Sequence, residues 1–430
     1  MSTADSAPAA PRHDPYAALR IPEFRRLILA RVCFVVATRI QGVVVSWQIL
    51  NLTNDPLALG FIGLAEAIPS IGVSLYAGHV ADTVRRKNII VATVTALLLC
   101  AVALWWLASP LGRPLLAKDA LYTLPLYAVI FVSGLARGFL GPALFSFMPQ
   151  LLPDRAQLPN AITWNSTTYQ ASAVLGPAIG GYLIHWLDVT PSYGVAVGLL
   201  ALALLQFVSI NNRPLPVMEG ERLPLQESIL SGLRFIFSNQ LVLAALALDM
   251  FAVLFGGAVA LLPVYAKDIL KVGAAGFGHL EAAPAVGSVL MAVVLTYFPL
   301  KTYVGRKLLW AVAGFGLATI LFGISSNFAL SLFLLFMTGV FDSVSVIVRS
   351  TLIHTFTPEH MKGRVSAVNN IFIGSSNEIG AFESGAMARL LGTVPSVVFG
   401  GSMTILVVGI TALLAPRLRR LHDVKAEAPA

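Results

Sequence analysis

Apolar runs of about 20 residues recur along this chain, and no other feature restricts its fold as strongly. A bilayer core roughly 30 Å thick is crossed by about 20 residues of α-helix rising roughly 1.5 Å each. Inside hydrocarbon the backbone must bond to itself, which leaves helices or closed barrels. Barrel strands would appear as short alternating segments; here the runs are long and continuous. They predict spans near residues 25–51, 57–81, 88–108, 122–147, 161–187 and 192–211, then 239–263, 276–299, 307–325, 328–348, 365–390 and 397–415. With 57% of 430 residues hydrophobic and 12% charged, more apolar surface exists than one soluble core could cover, so the remainder must face lipid. The expected fold is an all-α integral membrane protein of twelve transmembrane helices.

The longest interior polar stretch, Asn211 to Asn239, divides these spans into two sets of six. The expected organisation is a disordered cytoplasmic tail over 1–24, a six-helix half over 25–211, a linker over 212–238, a second half over 239–415 and a short tail over 416–430. Met1 to Asp14 is rich in Ala, Pro and Ser and lacks the composition of a packed core. The first apolar run holds Arg31 and Arg39 and has no small-residue cleavage pattern, so it reads as a span and not as a signal peptide. Weak repetition relates the halves: Pro153-Asp154-Arg155 precedes span five as Pro358-Glu359-His360 precedes span eleven, and Arg86-Lys87 opens span three as Arg306-Lys307 opens span nine. Parallel repeats of this kind are a transporter architecture.

The net charge of +8 is spread in small groups between spans and not along one face, which argues against a nucleic-acid partner. Arg20, Arg25, Arg26, Arg85, Arg86, Lys87, Arg213, Arg222, Arg306, Lys307, Lys362, Arg364, Arg417, Arg419 and Arg420 fall on one side, and Arg113, Lys118, Lys267 and Lys271 on the other. The bias, roughly four to one, places both termini in the cytoplasm of a multi-pass inner-membrane protein. Cys33 and Cys100 lie inside spans and fit neither a metal spacing nor a disulfide framework. The seven His residues are scattered and no Walker loop is present, so neither an enzyme nor an ATP-driven pump is expected, and no cofactor or metal.

Between spans two and three stands Gly78-His79-Val80-Ala81-Asp82-Thr83-Val84-Arg85-Arg86-Lys87. It resembles the loop signature of the major facilitator superfamily, Gly, three residues, Asp-Arg, one residue, Gly-Arg-Arg, with Thr83 and Arg85 departing from it. Gly78, Asp82, Arg86 and Lys87 are then the candidate gating loop, in which an acid at a helix end accepts charge-assisted bonds. In span five, Ser172-Ala173-Val174-Leu175-Gly176-Pro177-Ala178-Ile179-Gly180-Gly181 is similar to the Gly-Pro-x-x-Gly-Gly signature of superfamily antiporters. Gly176, Pro177, Gly180 and Gly181 suit a tight, kinked seam between helices. Pro142-Ala143, Asn160-Ala161, Ser375-Ser376-Asn377-Glu378-Ile379-Gly380 and Phe382-Glu383-Ser384-Gly385 are similar to the enterobactin-exporter-like branch, which exports siderophores and drugs. The resemblance implies two pseudo-symmetric six-helix halves in the major facilitator fold.

An ionised side chain at mid-bilayer costs at least about 2.5–3.5 kcal/mol, so each needs a partner, water or a purpose. Arg39 in span one and Glu66 in span two are expected to pair, being on consecutive spans. Arg137 in span four would suit an anionic or carbonyl-rich substrate. A carboxyl withdrawn from water favours its neutral form, which makes Asp249 and Asp342 candidate proton carriers, although Asp249 could also be a solvated residue near a span end. Glu378 and Glu383 in span eleven are about 140° apart around a helix, so one can face a cavity and the other packed protein. Gln170, with Tyr169, and Asn370, with Asn369 and Asn377, complete the candidate substrate and proton pathway, while Glu281, near the outer start of span eight, reads as water-facing.

The function expected from the resemblance and these groups is secondary active transport: proton-coupled efflux of a small molecule, siderophore, drug or metabolite, by alternating access. The expected partners are that small molecule, protons and the bilayer, with the protein a monomer. Two other classes fit the sequence, an uncoupled lipid or lysophospholipid flippase and a non-transporting membrane scaffold or sensor; intramembrane charges argue against the first and short tails against the second.

Overall fold

The computed structural model describes residues 14–116, 123–211, 225–300, 302–358 and 361–422. The first half is built from α1 (Pro22–Thr53), α2 (Pro56–Thr83), α3 (Arg86–Ala108), α4 (Leu124–Phe147), α5 (Leu158–Leu187) and α6 (Val189–Ser209). A shorter helix, α7 (Leu225–Ser238), lies in the stretch expected to be linker. Span seven is broken. α8 (Gln240–Phe255) stops at Gly256, and the chain continues through a 3-10 turn (Ala258–Leu261), α9 (Leu262–Val264) and a π turn (Tyr265–Ile269). The second half is completed by α10 (Gly273–Tyr297), α11 (Val304–Ile324), α12 (Phe328–Phe356), α13 (Lys362–Leu391) and α14 (Thr393–Leu414), with a short α15 (Pro416–Arg420) after it.

Boundaries follow local chemistry. The Asp55 side chain accepts the Leu57 N–H at 3.0 Å and starts α2. Asn239 accepts from Leu241 and Val242, both at 3.1 Å, to start α8, and Asn327 accepts from Leu330 at 3.1 Å to start α12; each satisfies a helix N-terminal donor that has no intrahelical partner. The turn between α1 and α2 is closed by Asn54 at φ 50°, and that between α13 and α14 by Gly392 at φ 92°, a conformation open to glycine. Among the described residues, ten segments are long and apolar enough to cross a membrane. α5 and α13, 30 residues each, are long enough but fall outside that set because they carry the polar and glycine-rich sequences singled out above.

The two ends of the molecule differ. At the end that carries the termini, each half has its own apolar core: Phe24, Leu27, Ile90, Phe147 and Phe207 in the first, Ile236, Val242, Leu308, Leu352 and Leu418 in the second. At the far end one core crosses both, joining Ile49, Leu59, Leu104 and Tyr193 to Leu261, Tyr265, Phe277 and Phe322. Among the described residues, the halves are sealed together at one end and have separate cores at the other.

Candidate functional site

Two helix pairs make the seal, α2 with α13 and α5 with α10. Small residues let the backbones meet. A Cβ on Gly181 of α5 would stand 2.9 Å from Gly278 Cα of α10, closer than real side chains come, and one on Gly385 of α13 would stand 3.0 Å from Gly60 Cα of α2. Close backbone approach at small residues is the usual means of tight helix packing in a membrane. Side chains finish the seam: Phe61 meets Phe382 at 5.4 Å between ring centres, Trp47 stacks on Phe277 at 6.0 Å, and His279 meets Tyr182 edge-on at 5.1 Å. At the rim, Arg389 pairs with Asp55 at 3.3 Å and Lys267 Nζ donates to Asn54 Oδ1 at 2.8 Å.

The span-five signature has two faces. Gly176 and Gly180 lie against Arg39 and Ile40 of α1, inside the first half, where a Cβ on Gly180 would reach Ile40 Cα at 3.2 Å. Pro177 and Gly181 meet Gly278 of α10, in the second half. Residues one apart on the helix therefore serve different seams, one within a half and one between halves.

Below the seal lies a charged cluster. Arg137 of α4 forms an ion pair with Glu66 of α2, so Glu66 is not paired with Arg39 as consecutive spans suggested. The reason is packing: α2 lies along α4, whose Gly134 admits the Glu66 backbone, a Cβ there standing 3.0 Å from Glu66 Cα, while α1 packs chiefly on α5 and α6. Glu378 of α13 reaches over the seam, its Oε2 only 2.8 Å from where a Cβ on Gly63 of α2 would be, and lies within electrostatic range of both Glu66 and Arg137. One guanidinium thus has an ion-paired carboxylate from its own half and a second carboxylate, from the other half, within electrostatic range.

Arg39 stands elsewhere. It is exposed in the gap between the halves, with one long hydrogen bond from Nη2 to Tyr169 Oη at 3.4 Å and Glu281 of α10 within electrostatic range. Glu281 is half-buried, two turns into α10, and not the water-facing residue at a span start that its position suggested: the helix begins at Gly273, earlier than the apolar run. Gln170 is half-buried beside Tyr169 on α5. Gln48 is structural, its Oε1 accepting the buried Tyr193 hydroxyl at 2.7 Å.

In the second half Asp249 is 6% exposed and ion-paired with Arg349 of α12, and Ser345 Oγ donates to its Oδ1 at 3.3 Å. Asp249 is therefore neither solvated nor near a span end. Arg349 went unnoticed in the sequence because the apolar run of span ten stops at Val348, whereas the helix runs on to Phe356. Asp342, one to two turns earlier on α12, lines the same small cavity as Asp249 and Ser345. On α13, Asn370 is exposed, Glu378 and Glu383 are half-buried, and Glu383 Oε1 is enclosed without a hydrogen-bond partner. Gly78 and Asp82 fall in the last turns of α2, and their side chains lie outside the described residues. Arg86 Nη1 donates to Ser146 O at 3.3 Å and Lys87 Nζ to Val208 O at 2.8 Å. These two bonds satisfy carbonyls at the ends of α4 and α6, where basic groups are favoured, and tie the first half to itself. Among the described residues no group of His, Cys, Asp and Glu is arranged to hold a metal.

The family model described as Major Facilitator Superfamily matches residues 27–381. The enterobactin exporter EntS of Escherichia coli O1:K1 is 28% identical over 415 residues, covering 95% of both chains, and EntS of Shigella boydii serotype 18 shows the same identity and coverage. Among solved structures, a bacterial homologue of the human lysosomal transporter Spinster, in an inward-facing and unoccupied conformation, superposes with TM-score 0.66 at 14% identity, covering 93% of this chain and 96% of that one. The POT family transporter PepTSo superposes with TM-score 0.70 at 13% identity, covering 93% and 98%.

Proposed function

Because the chain belongs to the major facilitator superfamily, and is a multi-pass membrane transporter and not an enzyme, we propose that it exports a small molecule from the cytoplasm in exchange for protons, by rocking its two halves. The observation that carries the proton part of this reading is the Glu66–Arg137–Glu378 cluster. Two carboxylates within range of one guanidinium, inside a bundle that spans the membrane, leave one negative charge without an ionic partner, and a proton neutralises it. Glu378 comes from the second half and its partners from the first, so opening the far-end seal would pull it away from Arg137 and change its demand for that proton.

The charge bias of the loops puts the termini end in the cytoplasm, so the conformation described is open inward and the protein sits in the inner membrane with both termini inside. Similarity to enterobactin exporters over 95% of the chain makes a siderophore-like molecule the first substrate to try. Proteoliposomes given enterobactin and an imposed pH gradient test the reading: concentrative transport should track the gradient and vanish with a protonophore, and equal flux after collapse would exclude obligatory coupling. Glu378→Gln should lose gradient-driven transport by about tenfold or more, the weight of one charge-assisted interaction, while retaining substrate exchange at equal concentrations on both sides.

A further inference from the structure

The interior of the first half carries Arg31, Arg39 and Arg137, and among the described residues one carboxylate of that half, Glu66, sits with them. Arg137 holds it. Arg31 and Arg39 form no ion pair within 4.0 Å among the described residues. They are eight residues apart on α1, about 12 Å along the axis and about 80° around it, so both address the side on which α5 packs. Tyr169 of α5 stands between them: Arg39 Nη2 is 3.4 Å from its hydroxyl, and Arg31, about two turns of α1 nearer the termini end, lies within electrostatic range of it. The facing wall contributes one carboxylate, Glu281 of α10, within range of Arg39. Two guanidiniums against one acid leave one positive charge uncompensated, on groups with five N–H donors each.

We infer that Arg31, Arg39 and Tyr169 form a subsite for an oxyanion, a carboxylate or phenolate, of the transported molecule. Arg39 is exposed to the gap between the halves, and its fork geometry suits a planar, two-oxygen acceptor. The Tyr169 hydroxyl, 40% exposed as a residue, adds a third donor. A positive charge is tolerated at this depth when water or an anion completes it, and the gap opens at the termini end. This reassigns anion recognition from Arg137, which is committed to Glu66, to the α1 pair. The inference rests on the transport reading, since the subsite faces the route that reading assigns to the substrate.

The test is equilibrium binding to the purified full-length protein in nanodiscs with no gradient present, using radiolabelled salicylate as probe and its uncharged amide, salicylamide, as competitor. Unlabelled salicylate should compete about tenfold or more better than salicylamide, the weight of a charge-assisted hydrogen bond. Arg39→Gln and Arg31→Gln should each abolish that preference, and Arg39→Lys should keep part of it. Tyr169→Phe, which removes one oxygen and leaves the packing, should weaken salicylate and not salicylamide, and keeps the test decisive if an arginine variant does not fold. Equal competition by the two compounds, or an intact preference in both glutamine variants, overturns the proposal. Anion preference without gradient-driven export would remove only the coupled-export reading; gradient-driven export without anion preference would remove only this one.

Discussion

Single residues decide the chemistry here through their partners. Asp249 and Arg349 are 6% and 4% exposed and bonded to each other, so removing one leaves a buried charge uncompensated, a change that costs about 3–5 kcal/mol in buried pairs. Asp249→Leu or Arg349→Met alone should lower the unfolding temperature of the detergent-solubilised protein markedly. The double substitution should recover most of the loss, because two apolar groups need no partner; a double variant as unstable as the sum of the singles would show the pair to be more than mutual neutralisation. That pair was not legible in the sequence. Arg349 follows the apolar run by one residue, and nothing in a linear string says that the helix continues for two further turns. The Glu66 to Arg137 pairing was hidden for a related reason, since adjacency in sequence suggested Arg39 and only the packing of α2 on α4 selects Arg137.

Helices set the seams, and the seams depend on small residues. The Gly-Pro-x-x-Gly-Gly element of α5 was visible in the sequence as a tight-packing motif, but its division into a face for α1 and a face for α10 needs the neighbouring helices to be known. Gly181→Val should keep α5 and α10 from closing, because even a Cβ meets Gly278 Cα at 2.9 Å. The expected outcome is a folded protein whose far end stays open, read as faster thiol labelling of a cysteine placed at Tyr182, together with loss of transport. Gly180→Val faces Ile40 and Val43 within one half, so it should lower stability without raising that labelling. Equal labelling in both variants would contradict the two-faced reading. The break in span seven belongs to the same scale: the apolar run there is continuous, and the interruption at Gly256 is imposed where Gly257 meets the Gly380 backbone and Ser384 of α13.

Across the whole molecule, the far end is held by one shared apolar core and a few polar ties, and among the described residues none of these joins the halves at the termini end. The Asp55 to Arg389 pair is largely exposed, its side chains 33% and 60% accessible, so it is worth at most about 1 kcal/mol. Asp55→Asn should therefore shift the equilibrium toward far-end opening by no more than about fivefold, measurable as distance populations between spin labels on α2 and α13. Arg389→Gln should shift it by a similar amount, and the double variant, Asp55→Asn with Arg389→Gln, no further than either single, Asn keeping the cap on α2. A larger shift would mean that the pair organises the rim beyond its own attraction.

What the sequence alone determined is the membrane architecture, because the length and apolarity of each span follow from the thickness of hydrocarbon and from the need of every backbone group for a partner. It also marked the polar helices α5 and α13 as the unusual ones, since neither composition is stable facing lipid. The tertiary structure decided which charges meet, where the halves touch and at which end they part. Those depend on helix neighbours brought together from distant parts of the chain, and on side-chain volumes of zero or one atom at a crossing, neither of which a periodic hydrophobic pattern encodes.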